Sequence, residues 1–180
     1  KAVDKLTVGN GLDEGTDIGP LISKQAKQRV SDLITEAKGR GARQINREVL
    51  LEGQFIAPTV LVDVEHDRPL VQGEIFGPVL TSIRFKGEED ALALANDVEY
   101  GLTGYVWTND LTRALRFSNA LEAGMIWVNS ENVRHLPTPF GGVKNSGIGR
   151  DGGQWSFEFY MEQKNIAFAL GQHKITRLGA

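Results

Sequence analysis

The stretch TPFGGVKNSGIGRDGG at 138–153 contains Gly147-Ile148-Gly149-Arg150-Asp151-Gly152, which fits G-x-G-x-x-G. That pattern grips a dinucleotide pyrophosphate only where a strand leads into the first glycine and a helix opens after it. It also needs an acidic side chain about 20 residues further on for the ribose. Here Val-Lys-Asn-Ser precedes Gly147, which does not read as a strand, and the ribose position falls on Gln172. The run is therefore read as a turning loop rather than a phosphate cradle. The other obvious chemistry is also restricted. The chain has no cysteine, so it holds no thiol nucleophile, no disulfide and no Cys-based zinc site. His66, His135 and His173 are too dispersed for metal-ligand spacing, and each reads first as a surface or loop histidine.

The elements that must position this loop are legible in outline. Ser23 can cap a helix running to about Lys38, because Val30, Leu33, Ile34 and Ala37 fall on one face. FIAPTVLVDV (55–64) and PVLTSIRF (78–85) are rich in β-branched residues and read as strands, with Pro58 at a strand edge or start. GEEDALALAND (87–97) opens with acids that complement a helix dipole. LTGYVWT (102–108) reads as a strand, 110–124 as a helix capped by Asp110 and ended by Gly124, and MIWVN (125–129) as a short buried strand. Alternating strands and helices predict an α/β fold of three layers (αβα) around a mostly parallel sheet. The irregular stretch from Ser130 to Gly153 follows directly on a strand's carboxyl end, where open α/β sheets place their ligands. KNIAFALG (164–171) is apolar enough to be a strand in need of a partner.

Composition bounds the rest. A chain of 180 residues can bury roughly 70% of its unfolded surface, and no linker or repeat divides it, so a single domain over 1–180 is expected. With 41% apolar and 24% charged residues and a net charge of −3, nothing points to a nucleic-acid or membrane partner. There is no apolar stretch of about 18 residues and no basic-then-apolar leader, which suggests a cytoplasmic protein. The first residue is Lys1, within what looks like a working segment, which suggests a piece of something larger.

Three stretches together resemble one family: EIFGPV at 74–79, YGLTGYVWTND at 100–110, and WVNSENVRHLPTPFGGVKNSGIGRDGG at 127–153. They are similar to the C-terminal part of NAD(P)-dependent aldehyde dehydrogenases. The likeness extends from VGN at 8–10 through GP at 19–20 and PTVLVDV at 58–64. Within the family, NVRHLPTPFGGVK and KNIAFALG most resemble the 5-carboxymethyl-2-hydroxymuconate semialdehyde dehydrogenases of aromatic-acid breakdown. Departures occur at Gly73 and Asp151, where many members have glutamate.

The resemblance implies a mechanism in which a cysteine thiolate attacks the aldehyde, hydride passes to NAD (or NADP), and a glutamate activates water for hydrolysis. Cysteine, glutamate and N-terminal NAD-binding domain would all lie upstream of this chain, so the chain by itself is expected to be inactive. It implies that Glu74 accepts hydrogen bonds from the nicotinamide ribose hydroxyls, as an acceptor-only group can, and that Phe76 lies next to the nicotinamide. Read from the residues alone, Glu74 would be a solvated residue before a strand and Phe76 a core aromatic. The resemblance places Phe140 in the substrate pocket, with glycines 141 and 142 allowing close backbone packing behind it, and keeps a functional alternative for His135 in the same loop. Asn129, at the loop's start, reads as satisfying local backbone. Arg134 offers a guanidinium fork to a substrate carboxylate, or else braces the loop or stands in solvent. A small aldehyde as substrate and homo-oligomerisation through the C-terminal strand complete the expectation; the alternative is a non-catalytic binding or assembly module.

Overall fold

The computed structural model describes residues 1–174 and Gly179, which group into two compact units, Lys1–Glu99 and the residues from Tyr100 onward. In the first unit, helix α1 (Lys24–Gly39) begins at Ser23, whose hydroxyl accepts from the Ala26 N–H at 3.0 Å, a side-chain cap satisfying one of the helix's orphan donors. Strand β1 (Arg43–Gln44) pairs antiparallel with β2 (Thr59–Val62), and β2 pairs parallel with β3 (Val79–Ser82), Thr59 opposite Val79 and Val62 opposite Ser82. The short helix α2 (Pro69–Gln72) lies between β2 and β3, and α3 (Glu88–Asn96) follows with Glu88, Glu89 and Asp90 in its first turn. Ala37, Ala42, Leu61, Val64 and Leu70 form the core, with Leu33, Val71, Ile75 and Val79 packed on it.

The second unit holds β4 (Tyr100–Gly101), β5 (Thr103–Val106), helix α4 (Leu111–Ala120) and β6 (Met125–Val128), then β7 (Val143–Lys144) and α5 (Gly153–Tyr160). β5 and β6 are parallel, Thr103 opposite Met125 and Val106 opposite Val128, with α4 as their connection. Asp110 caps α4 by accepting from the Arg113 N–H at 2.9 Å, and that bond holds its carboxyl below the ordinary value. The chain is thus mixed α/β, and its two four-residue strand pairings are both parallel.

The four expected strands are each trimmed to four residues, and other features differ from the sequence reading. Helix α4 ends at Ala120, short of Gly124, because Leu121 turns extended and covers Gly104, where an added Cβ would lie 2.3 Å from the Leu121 side chain. The residues before Gly147 do include a strand: β7 pairs antiparallel with β4, Tyr100 opposite Lys144. A turn stops it at once, with Ser146 N–H bonded to Val143 O at 3.1 Å and Gly147 N–H to Lys144 O at 3.2 Å. Residues 164–171 carry no regular element, and Ile166, Phe168 and Leu170 stand exposed. A strand exists only through a neighbouring ladder, and none of the strand pairings among the described residues involves this segment.

Candidate functional site

In the first unit, the EIFGPV segment is pinned by α1. Arg29 donates to the carbonyl oxygens of Glu74 (3.4 Å) and Ile75, and Gly77 approaches the fully buried Val30 so closely that a Cβ there would lie 3.1 Å from a valine methyl. With Ile75 packed on the core, the neighbouring side chains turn outward. The Glu74 carboxylate is exposed. Phe76 adopts φ +48° with its residue 77% exposed, which rules out the core reading. A bulky residue at positive φ is a costly conformation that its surroundings must enforce. His66, in the loop after β2, is tied to the end of α3, its Nε2 lying 3.0 Å from Asp97 O and 3.2 Å from Asp97 Oδ2.

The second unit carries a cavity of about 470 Å³ lined among others by Trp127, Val133, Arg134, His135, Phe140 and Asp151. Its walls are built from the strand ends upward. Asn129 leaves β6 at φ +50°, and its side-chain amide pairs twice with Thr108, accepting from the N–H at 2.9 Å and donating to the carbonyl at 2.8 Å. Asn129 therefore satisfies local backbone, as its sequence position suggests. The Trp127 ring stacks on Tyr105, its partner across the β5–β6 pair, with centroids 5.4 Å apart and planes 15° from parallel. Its indole Nε1 donates to Val133 O at 2.9 Å. One residue on, the Arg134 guanidinium carbon stands 4.0 Å from the centroid of the Phe140 ring, a cation–π arrangement. The His135 carbonyl accepts from both the N–H and the hydroxyl of Thr138, at 2.9 and 2.7 Å.

The glycine run packs this loop down. Phe140 and Asp151 exchange both backbone hydrogen bonds. Gly152 sits at φ +98° where a Cβ would lie 2.3 Å from Thr138 O, and a Cβ on Gly141 would lie 2.2 Å from Gly149 O. Arg150 donates to the carbonyls of Gly142 (2.7 Å) and Gly149 (2.9 Å). At the start of α5 the Asp151 carboxylate accepts from Ser156 Oγ and from the Gly152 N–H at 2.8 Å. The Ser156 hydroxyl first, then the Gly152 amide and the Arg134 charge, hold the Asp151 carboxyl below its ordinary value. A helix N-terminus that already bears a carboxylate is a poor place for a pyrophosphate, so the G-x-G-x-x-G run is a packing device here.

The structure thus brings Arg134, His135 and Phe140 together on one cavity and shows Glu74 and Phe76 side by side on an exposed loop of the other unit. Sequence reasoning missed Tyr105, Trp127 and Ser156. The first two are aromatics in expected strands, whose facing register alone reveals the stack; Ser156 lies in a helix that no apolar period announced.

The Aldehyde dehydrogenase family model matches residues 1–166, and the chain belongs to that family. It is 41% identical over 169 residues to a glutarate-semialdehyde dehydrogenase of Pseudomonas putida, covering 94% of this chain and 35% of that protein. It is likewise 41% identical over 172 residues to the succinate-semialdehyde dehydrogenase [NADP(+)] GabD of Escherichia coli K12, covering 94% and 36%. The crystal structure of HpcC from Thermus thermophilus is similar with a TM-score of 0.87 and 45% identity, covering 99% of this chain and 36% of that one. The chain spans about a third of the length of these relatives.

Proposed function

We propose that this chain is the C-terminal, substrate-facing part of an NAD(P)-dependent aldehyde dehydrogenase that oxidises a carboxylated semialdehyde to the acid. The observation that carries this reading is Arg134 held over Phe140 on the wall of the 470 Å³ cavity. A guanidinium offers a carboxylate paired, charge-assisted hydrogen bonds, and the Phe140 ring gives the aliphatic part an apolar wall. Glutarate and succinate semialdehydes, named for the two relatives, each carry a carboxylate at a distance from the reacting carbonyl. The family resemblance of NVRHLPTPFGGVK supports 5-carboxymethyl-2-hydroxymuconate semialdehyde, in the breakdown of aromatic acids, as the proposed substrate.

The cofactor, when bound, supplies the hydride acceptor. The residues present fit it: the exposed Glu74 carboxylate is an acceptor suited to ribose hydroxyls, and the adjacent outward-turned Phe76 ring offers a flat apolar face. The nucleophile is supplied by residues outside this chain, since positions 1–180 include no cysteine, and the N-terminal NAD-binding domain lies outside it too. The exposed apolar residues of 164–171 support homo-oligomerisation. The proposed setting is the cytoplasm, with a small aldehyde rather than nucleic acid or membrane as the partner; no helix among the described residues is long and apolar enough to cross a membrane.

The test is Arg134→Ala in the full-length enzyme. Loss of one charged hydrogen-bonding contact, worth roughly 1.5 to 3 kcal/mol, should lower kcat/KM about ten- to a hundredfold for a carboxylated semialdehyde and spare a neutral aldehyde of similar size. Equal losses on the two would remove the carboxylate assignment.

A further inference from the structure

We infer that Trp127 is a specificity-positioning residue: its indole N–H, bonded to the Val133 carbonyl, sets the place from which Arg134 reaches the cavity. The inference rests on the carboxylate-reading role of Arg134 given above.

The loop between β6 and Arg134 has little burial of its own. Val133 is 71% exposed, Arg134 and His135 are exposed, and both Asn129 and Asn132 sit in the left-handed region, at φ +50° and +48°. Such a segment is ordered by polar ties rather than by packing. At its base Asn129 is tied to Thr108. At its far end the tie is Trp127 Nε1 to Val133 O at 2.9 Å.

That bond acts on Arg134 directly. The Val133 carbonyl belongs to the same planar peptide as the Arg134 N–H, so aiming the carbonyl orients the peptide plane that carries the Arg134 Cα. The donor is itself held, because the indole lies flat on Tyr105 across the parallel pair, at 5.4 Å and 15°. The order then runs from sheet register to ring, from ring to peptide, and from peptide to the guanidinium 4.0 Å above Phe140. A long, exposed arginine otherwise spreads over many rotamers, and ordering its backbone beforehand reduces what substrate binding must restrict. Phenylalanine could supply the stacking alone. Tryptophan adds a donor at the ring's edge, and unlike the tyrosine hydroxyl that nitrogen donates without accepting.

The experiment is a double-mutant cycle in the full-length enzyme, with kcat/KM measured for a carboxylated semialdehyde and for a neutral aldehyde of similar size. Trp127→Phe keeps an aromatic against Tyr105 and removes the N–H. It should cost about two- to tenfold more on the carboxylated substrate than on the neutral one, mainly through KM, since any change in the cavity wall that Trp127 helps to line is felt by both. In an Arg134→Ala background the same change should cost the two substrates alike. A replacement of Trp127 by benzothienylalanine, which keeps the bicyclic shape and lacks the N–H, should repeat the result if the phenylalanine variant folds poorly. Equal losses on both substrates, or an undiminished difference between them in the Arg134→Ala background, would overturn the inference. If Arg134→Ala is selective and the Trp127 variants are not, only the positioning role falls; if Arg134→Ala is itself unselective, the carboxylate reading falls and takes this role with it.

Discussion

Phe140 and Asp151 exchange both backbone hydrogen bonds, each at 2.7 Å, so the residue proposed to face the substrate is tied backbone to backbone to the residue at the head of α5. The Asp151 side chain secures the same junction through Ser156 and the Gly152 amide. Those bonds and the Arg134 charge favour the ionised carboxyl.

Asp151→Asn in the full-length enzyme should therefore lower the unfolding temperature in a pH-dependent way. A carboxyl with a depressed folded-state pKa contributes stability above its unfolded value, about 3.9 for aspartate, and loses it as pH falls through the folded value. Unfolding temperatures across a pH series should show the widest gap between the two proteins near neutrality, closing as the medium is acidified below about pH 4. A gap that stays constant over that range would assign the effect to something other than the charge.

Two glycine substitutions separate crowding from backbone conformation. A Cβ on Gly124 would lie 1.7 Å from Gly141 O, backbone against backbone, whereas Gly147, at φ +113°, has nothing within 4 Å. Gly124→Ala should cost about 3 kcal/mol, at or beyond the usual limit for overpacking, and Gly147→Ala about 1 kcal/mol for its positive φ alone. Urea denaturation of both variants checks the order; a cheaper Gly124→Ala would mean that the glycine loop is not seated against β6 as described.

The 180-residue chain by itself should not reduce NAD in the presence of any aldehyde, because it holds no thiol to attack the carbonyl. NADH production that scales with the purified chain would contradict the mechanism.

Deleting residues 164–180 from the full-length enzyme should reduce its assembly. Ile166, Phe168 and Leu170 are exposed along a segment with no ladder partner among the described residues, and an unpaired apolar edge seeks another chain. Light scattering reads the result directly: undiminished assembly after the deletion would remove this segment from the interface.

Sequence reading succeeded where a few neighbouring residues settle the outcome. Ser23 and Asp110 cap their helices because each cap is a bond to a backbone N–H three residues on, a relation that residue type and spacing already state. The strands β2, β3, β5 and β6 are visible as β-branched and apolar runs, and the helical run at 110–124 separates β5 from β6. The absence of cysteine is covalent composition, and no folding alters it.

What the sequence left open depends on residues far apart along the chain. The strands β1, β4 and β7, each of two residues, exist only through their partners, so no local pattern announces them. Phe76 looks like core until Gly77 seats against Val30 and Ile75 takes the inward position, leaving the ring outside. Arg134, read alone, fits solvent, loop bracing or substrate equally well. Its place over Phe140 follows from Trp127 reaching Val133 and from Asp151 pairing with Phe140. Those bonds span turns held by positive φ at Asn129, Asn132 and Gly152. Local chemistry determined which groups this protein possesses, and tertiary closure decided which of them face one cavity, because hydrogen-bond partners distant in sequence become neighbours only once the backbone between them has turned.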